Sequence, residues 1–145
     1  MADLSEVWKG IRDILVGDAT LVALLATSSS VYERDPPINA AFPMLTVWQI
    51  DDSPNMRLDG YGEFFPSFQI DVWSTSPRTN EQIKERVTQL LDIPRINSDQ
   101  ISTTNYNVTR LQRENARFVG TVEIEADGKR VRHLATTWVA TVKEN

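Results

Sequence analysis

The stretch Phe68-Gln69-Ile70-Asp71-Val72-Trp73-Ser74 decides the fold. Strand side chains alternate between two faces, so Phe68, Ile70 and Val72 share one side and Gln69, Asp71 and Trp73 the other. One face is apolar enough to be core, and the second is open to water or to a partner. Thr75-Ser76-Pro77 stops the strand, and Thr79 is a plausible N-cap. Beyond it Ile83, Val87, Leu90 and Leu91 recur at helical spacing, which predicts a helix over 79–91. A strand followed by a helix lying back across its own sheet is the expected unit.

Working outward, Leu4, Val7, Trp8, Ile11, Ile14 and Leu15 form an apolar stripe at helical spacing, closed by Gly17 in a C-cap position. Asp18 caps a shorter second helix containing Leu21, Val22, Leu24 and Leu25. Val31-Tyr32 reads as a short strand, and Pro36, Pro37 and Pro43 force an extended path after it. Met44 to Ile50 is a further strand whose Leu45, Val47 and Trp48 suit a largely buried position. The segment 51–62 has no periodicity and joins two antiparallel strands, so it is expected to project as a hairpin arm. After a connection over 93–104, strands are expected over 107–111, 118–125 and 129–142. Asp127-Gly128 supplies the turn signal between the last two. The four tryptophans, Trp8, Trp48, Trp73 and Trp138, are spread one per element, as core anchors are. Trp73 stands apart because its neighbours Phe68, Ile70 and Val72 take the opposite face. Either helices cover that strand on both sides, or Trp73 belongs to a subunit contact.

Composition limits the function. At 145 residues the chain fits one domain spanning 1–145, with a core that needs no disulfide; it has no cysteine. There is neither an apolar run of membrane length nor a charged-then-apolar leader, so a soluble protein made in the cytoplasm is expected. The net charge of −5 argues against a protein whose main work is gripping nucleic acid through phosphates. The charge is also uneven. Residues 1–106 carry 8 basic and 15 acidic side chains, and residues 107–145 carry 7 and 5. That asymmetry fits a head-to-tail contact between copies; differing composition of solvated strand faces fits it equally.

A search for chemistry is mostly negative. The single histidine, His133, lies in a strand beside Arg130 and Arg132 and reads as a strand-face residue. Without cysteine or a second histidine a zinc site is not expected, and no cofactor is implied. Asp51-Asp52 with Asp59 and Glu63 lacks the spacing of a calcium loop, and Gly60-Tyr61-Gly62 precedes a strand where a phosphate cradle must open a helix. A carboxylate pair remains as an enzymatic alternative.

The order of elements resembles a known family. The N-terminal helix with Ile14-Leu15, the short helix around 21–25, Val31-Tyr32-Glu33, Pro36-Pro37 and Ala41-Phe42-Pro43-Met44-Leu45-Thr46-Val47 are similar to the tail completion, or tail terminator, proteins of long-tailed bacteriophages. The strand 67–74, the helix 81–91 and the closing Ala135-Thr136-Thr137-Trp138-Val139-Ala140 continue the likeness, and 118–132 departs from it most. The resemblance implies an α+β subunit: a mainly antiparallel sheet against N-terminal helices and one central helix, with a projecting hairpin loop. It further implies a non-enzymatic hexameric ring at the head-proximal end of the virion tail, assembled in the host cytoplasm. Such a ring caps the tail tube protein, stops polymerisation and offers the surface for a head-completion or connector protein. DNA would pass through the lumen without specific binding, past an acidic lining to which Asp51, Asp52 and Asp59 contribute. The contact residues expected on this view are Asp51, Asp52, Met56, Arg57, Asp59 and Tyr61 of the arm, with Trp73, Arg130 and Arg132. A head-closure ring of the same neck is the structural alternative.

Overall fold

The computed structural model describes residues 5–51, 63–92, 101–124 and 129–144. Among these residues three helices, α1 (Ser5–Val16), α2 (Ala19–Leu24) and α3 (Pro77–Leu91), accompany seven strands. The strands are β1 (Val31–Glu33), β2 (Met44–Asp51), β3 (Glu63–Phe64), β4 (Ser67–Ser74), β5 (Ile101–Ser102), β6 (Tyr106–Ile124) and β7 (Lys129–Glu144). They form one sheet in the order β1-β2-β4-β7-β6-β5, with β3 pairing beside β7. Only β1 and β2 run parallel; every other pairing is antiparallel. The α+β architecture agrees with the sequence reading.

All three helices lie on one face. The helical stripe Val7, Ile11 and Leu15, with Leu21 and then Ile83, Val87 and Leu91, closes over Leu45, Val47, Phe68, Ile70, Val72, Leu134 and Trp138 in a single buried cluster. At about 25 cal/mol per Å² of apolar surface removed from water, this layer is the main favourable term in folding. Asp18 caps α2 as expected, accepting from the Leu21 amide at 2.8 Å. The same carboxylate takes a two-pronged contact from Arg86 on α3, at 2.8 Å from Nε and 2.7 Å from Nη2, so a local cap also ties α2 to α3. Gly17 follows α1 as expected, its amide reaching the Asp13 carbonyl at 3.0 Å. Gly10 of α1 faces Ile101 of β5, where a Cβ would collide with the isoleucine Cγ2.

Four expectations change. The cap of α3 is Ser76 rather than Thr79, because Pro77 can occupy the first helical turn, where its missing N–H costs nothing. The Ser76 hydroxyl accepts from the Thr79 amide at 3.4 Å. Trp48, expected in the core, is 44% exposed, since it shares the face of Met44 and Thr46 rather than that of Leu45 and Val47. Residues 106–124 form one continuous strand where two were expected. The connection over 93–104 includes a two-residue strand, β5. The proposed Asp127-Gly128 turn lies outside the described residues.

Candidate functional site

The sheet face turned away from the helices carries the unusual chemistry. Its residues on the central strands are Met44, Thr46 and Trp48 of β2, Gln69, Asp71 and Trp73 of β4, and Val131, His133 and Ala135 of β7. The antiparallel register sets Thr46 and Ala135 opposite Asp71, and Met44 and His133 opposite Trp73. Cross-strand neighbours on one face lie close enough to interact, so a single carboxylate at Asp71 can collect donors from three strands.

Asp71 is 1% exposed and does so. Its Oδ1 accepts from Gln69 Nε2 at 2.8 Å and from His133 Nε2 at 2.7 Å. Its Oδ2 accepts from Trp48 Nε1 at 3.0 Å and, at a longer 3.5 Å, from the Thr46 hydroxyl. A carboxylate only accepts, so the His133 proton sits on Nε2. The Thr46 oxygen in turn accepts from Trp73 Nε1 at 3.0 Å. The Trp73 and His133 rings stack with centroids 3.9 Å apart and planes 8° from parallel. Both tryptophans thus present an apolar ring outward while their polar nitrogens point into the network.

Over this platform lies a pocket of about 440 Å³, walled by Arg34, Asp35, Pro36 and Phe42 from the segment between β1 and β2, and floored by Met44, Thr46, Trp48, Asp71, Trp73, Val131 and His133. Arg34 adopts a left-handed backbone with φ of 59°, while its amide donates to the Val47 carbonyl at 3.0 Å. A residue without glycine's freedom in this region signals that its surroundings hold it there. Among the described residues no helix covers this face.

The four donors occupy roughly the four lone-pair directions that a carboxylate offers, so the Asp71 oxygens are satisfied by the protein's own side chains. Among the described residues no group of three or more His, Cys, Asp or Glu is placed to hold a metal ion.

Of the residues expected at a contact, Trp73 belongs to this site. Arg130 and Arg132 do not: alternation along β7 sends them to the side opposite His133. Arg132 lies with its guanidinium carbon 4.5 Å above the Phe118 ring, its Nε buried without an acceptor, and its carbonyl accepts from Asn80 Nδ2 at 3.2 Å. Arg130 is exposed. Asp51 is the last residue of β2, and Asp52, Met56, Arg57, Asp59 and Tyr61 lie outside the described residues. Sequence reasoning passed over Asp71, Gln69, Thr46 and Trp48. The available signal was an acid in strand phase with Trp73, in a chain with only one histidine to meet it.

The protein is a helix-backed sheet whose free face displays aromatic rings over a polar network. Its family follows from sequence: residues 9–127 match the model of the tail completion protein gp17 family, and the chain belongs to that family. It is therefore a structural protein of phage tail completion. No curated protein matches the chain in sequence. Among solved structures, a chain described as "Virion of native gene transfer agent (GTA) particle" is similar in fold, with a TM-score of 0.65 and 19% identity over 93% of this chain and 92% of that one.

Proposed function

We propose that this protein closes as a ring of identical subunits, six to a ring, at the head-proximal end of the tail tube. There it stops tube polymerisation and provides the surface on which the head-completion or connector protein docks. The observation that carries this reading is the free sheet face: half-exposed Trp48 and Ile50 beside a 440 Å³ pocket, on a chain whose family completes tails. Aromatic anchors beside a pocket are the usual centre of a protein contact. The occurrence of a similar fold in a gene transfer agent virion supports a place in the particle itself. On this reading the whole chain is one domain, the 51–62 segment contributes to the contact with the tube and Trp73 to a contact between subunits, and DNA passes the ring without specific binding.

The test is electron microscopy of particles made when the gene is interrupted early. Overlong, headless tails beside filled heads are the expected result. Tails of normal length that fail to join heads would instead favour the second reading, a head-closure ring. Normal virions would remove both.

A further inference from the structure

The described residues leave five large apolar side chains substantially exposed: Ile38, Trp48, Ile50, Phe118 and Val119. Four of them fall into two places. Trp48 and Ile50 lie on β2, where β1 covers the outer edge only as far as Val47. Phe118 and Val119 lie on β6, where β5 pairs only with Asn107 and Val108. Strands β4 and β7 separate β2 from β6, so the two patches sit at opposite margins of the sheet, roughly 14 Å apart at the usual strand spacing.

Each patch is built on a β-bulge. Between Gln49 and Asp51 the register slips against β4, leaving Ile50 as the extra residue. Between Phe118 and Gly120 it slips against β7, leaving Val119 as the extra one. Bulges re-aim a side chain and end regular pairing, and they concentrate at sheet edges. Here two of them turn aliphatic residues outward, each about half exposed.

The margins also differ in charge. Residues 31–51 carry Glu33, Asp35 and Asp51 against Arg34, a net of −2. On the other margin β6 carries Arg110, Arg113 and Arg117 against Glu114 and Glu123, a net of +1. Beside Phe118 and Val119 stand exposed Arg117 and, over the Phe118 ring, Arg132.

We infer that these margins are the two halves of one contact between copies of this chain. The Phe118–Val119 bulge of one copy seats against Trp48 and Ile50 of the next, at the mouth of the pocket, with Arg117 set against Glu33 and Asp35. A patch that pairs with itself gives a two-fold dimer and stops, whereas two unlike patches on opposite margins propagate around an axis. Like charge on each margin opposes self-pairing, and opposite charge across the contact favours the head-to-tail register. The inference rests on the ring reading and assigns its subunit interface.

Because the chain has no cysteine, single substitutions introduce the only thiols. Ile50→Cys and Val119→Cys chains, purified separately, would be mixed and treated with a short bis-maleimide, and the Ile50→Cys/Val119→Cys double variant would be treated likewise within assembled particles imaged in parallel. Expected are cross-linked dimers in the mixture at no less than ten times the level in either variant alone, and a ladder from the double variant ending at the ring size. Arg117→Glu should lower the yield at least tenfold, and Glu33→Lys/Asp35→Lys in the neighbour should restore it. A ring visible in particles without the Ile50–Val119 link, or with Ile50–Ile50 links, overturns this interface and leaves the ring reading standing. Links to the tube protein in place of a second copy overturn it in favour of a tube contact. Particles with no ring at the tail end overturn the ring reading and this interface together.

Discussion

Trp73 and His133 face each other across the β4–β7 register and stack at 3.9 Å, so the ring that binds Asp71 is itself held flat by an indole. The imidazole cannot turn away from the carboxylate without losing that stack. His133→Phe keeps an aromatic ring against Trp73 and removes the bond to Asp71. It should lower stability by about 1.5–3 kcal/mol, the usual worth of a hydrogen bond to a charged group. Urea unfolding at neutral pH measures it, and an unchanged midpoint would show that the bond contributes nothing.

Asp71→Ala removes the acceptor for four donors at once, all of them carried on β-strands whose register fixes their positions. A loss on the order of 3 kcal/mol is expected, with a change in the near-ultraviolet circular dichroism of Trp48 and Trp73. A variant as stable as the parent, with the same aromatic spectrum, would contradict the network.

The Asp18–Arg86 contact should appear as acid sensitivity. The guanidinium hydrogen bonds hold the Asp18 carboxyl down from 3.8 to about 2, against an opposing push from burial, with the Leu21 amide adding to the lowering. A carboxyl whose folded value is depressed contributes stability above its unfolded value and loses it as pH falls through the folded one. The contribution is therefore present above about pH 4 and disappears between pH 4 and pH 2. Asp18→Asn keeps an oxygen for the Leu21 amide and abolishes the charge. Its thermal midpoint should be lower at pH 5 and should fall less steeply than the parent's between pH 4 and pH 2.

Gly10 is needed for the approach of α1 to β5. Alanine favours helix over glycine by about 1 kcal/mol, but here its methyl would overlap Ile101. Overpacking of this kind costs about 1–3 kcal/mol, so Gly10→Ala should destabilise. Adding Ile101→Ala should relieve the clash. A double-mutant cycle with no coupling between the two would show that β5 yields without strain.

Much of this was legible because the signals were local and in phase. Phe68, Ile70 and Val72 alternate without interruption, Asp18 carries its cap in its own side chain, and α1 and α3 repeat apolar residues at one helical pitch. β6 was hidden by phase slips. Its pairing with β7 is irregular at Val108/Arg110, Arg113/Asn115 and Phe118/Gly120, roughly every five residues. Each slip inverts the in-and-out order, so the run Gln112-Arg113-Glu114-Asn115 shows no period of two although it is strand throughout. The Asp71 site was hidden for another reason. Alternation says that Gln69, Asp71 and Trp73 share a face but not that the face is dry. Only the non-local register, which brings Trp48 and His133 from segments 23 and 62 residues away, turns an apparently solvated acid into a buried one.

The place of β7 governs when the protein can come into being. This strand follows all the others in the chain, yet it joins β4 to β6 and also receives β3. While a ribosome is still delivering residues 129–144, β1-β2-β4 and β6-β5 have no strand to join them into one sheet. Non-local pairing of this kind is slow to form and cannot be anticipated by local structure. A nascent chain that has not passed residue 129 therefore has no finished sheet. A premature stop anywhere before residue 129 would yield no shortened version of the protein, because the sheet would never join.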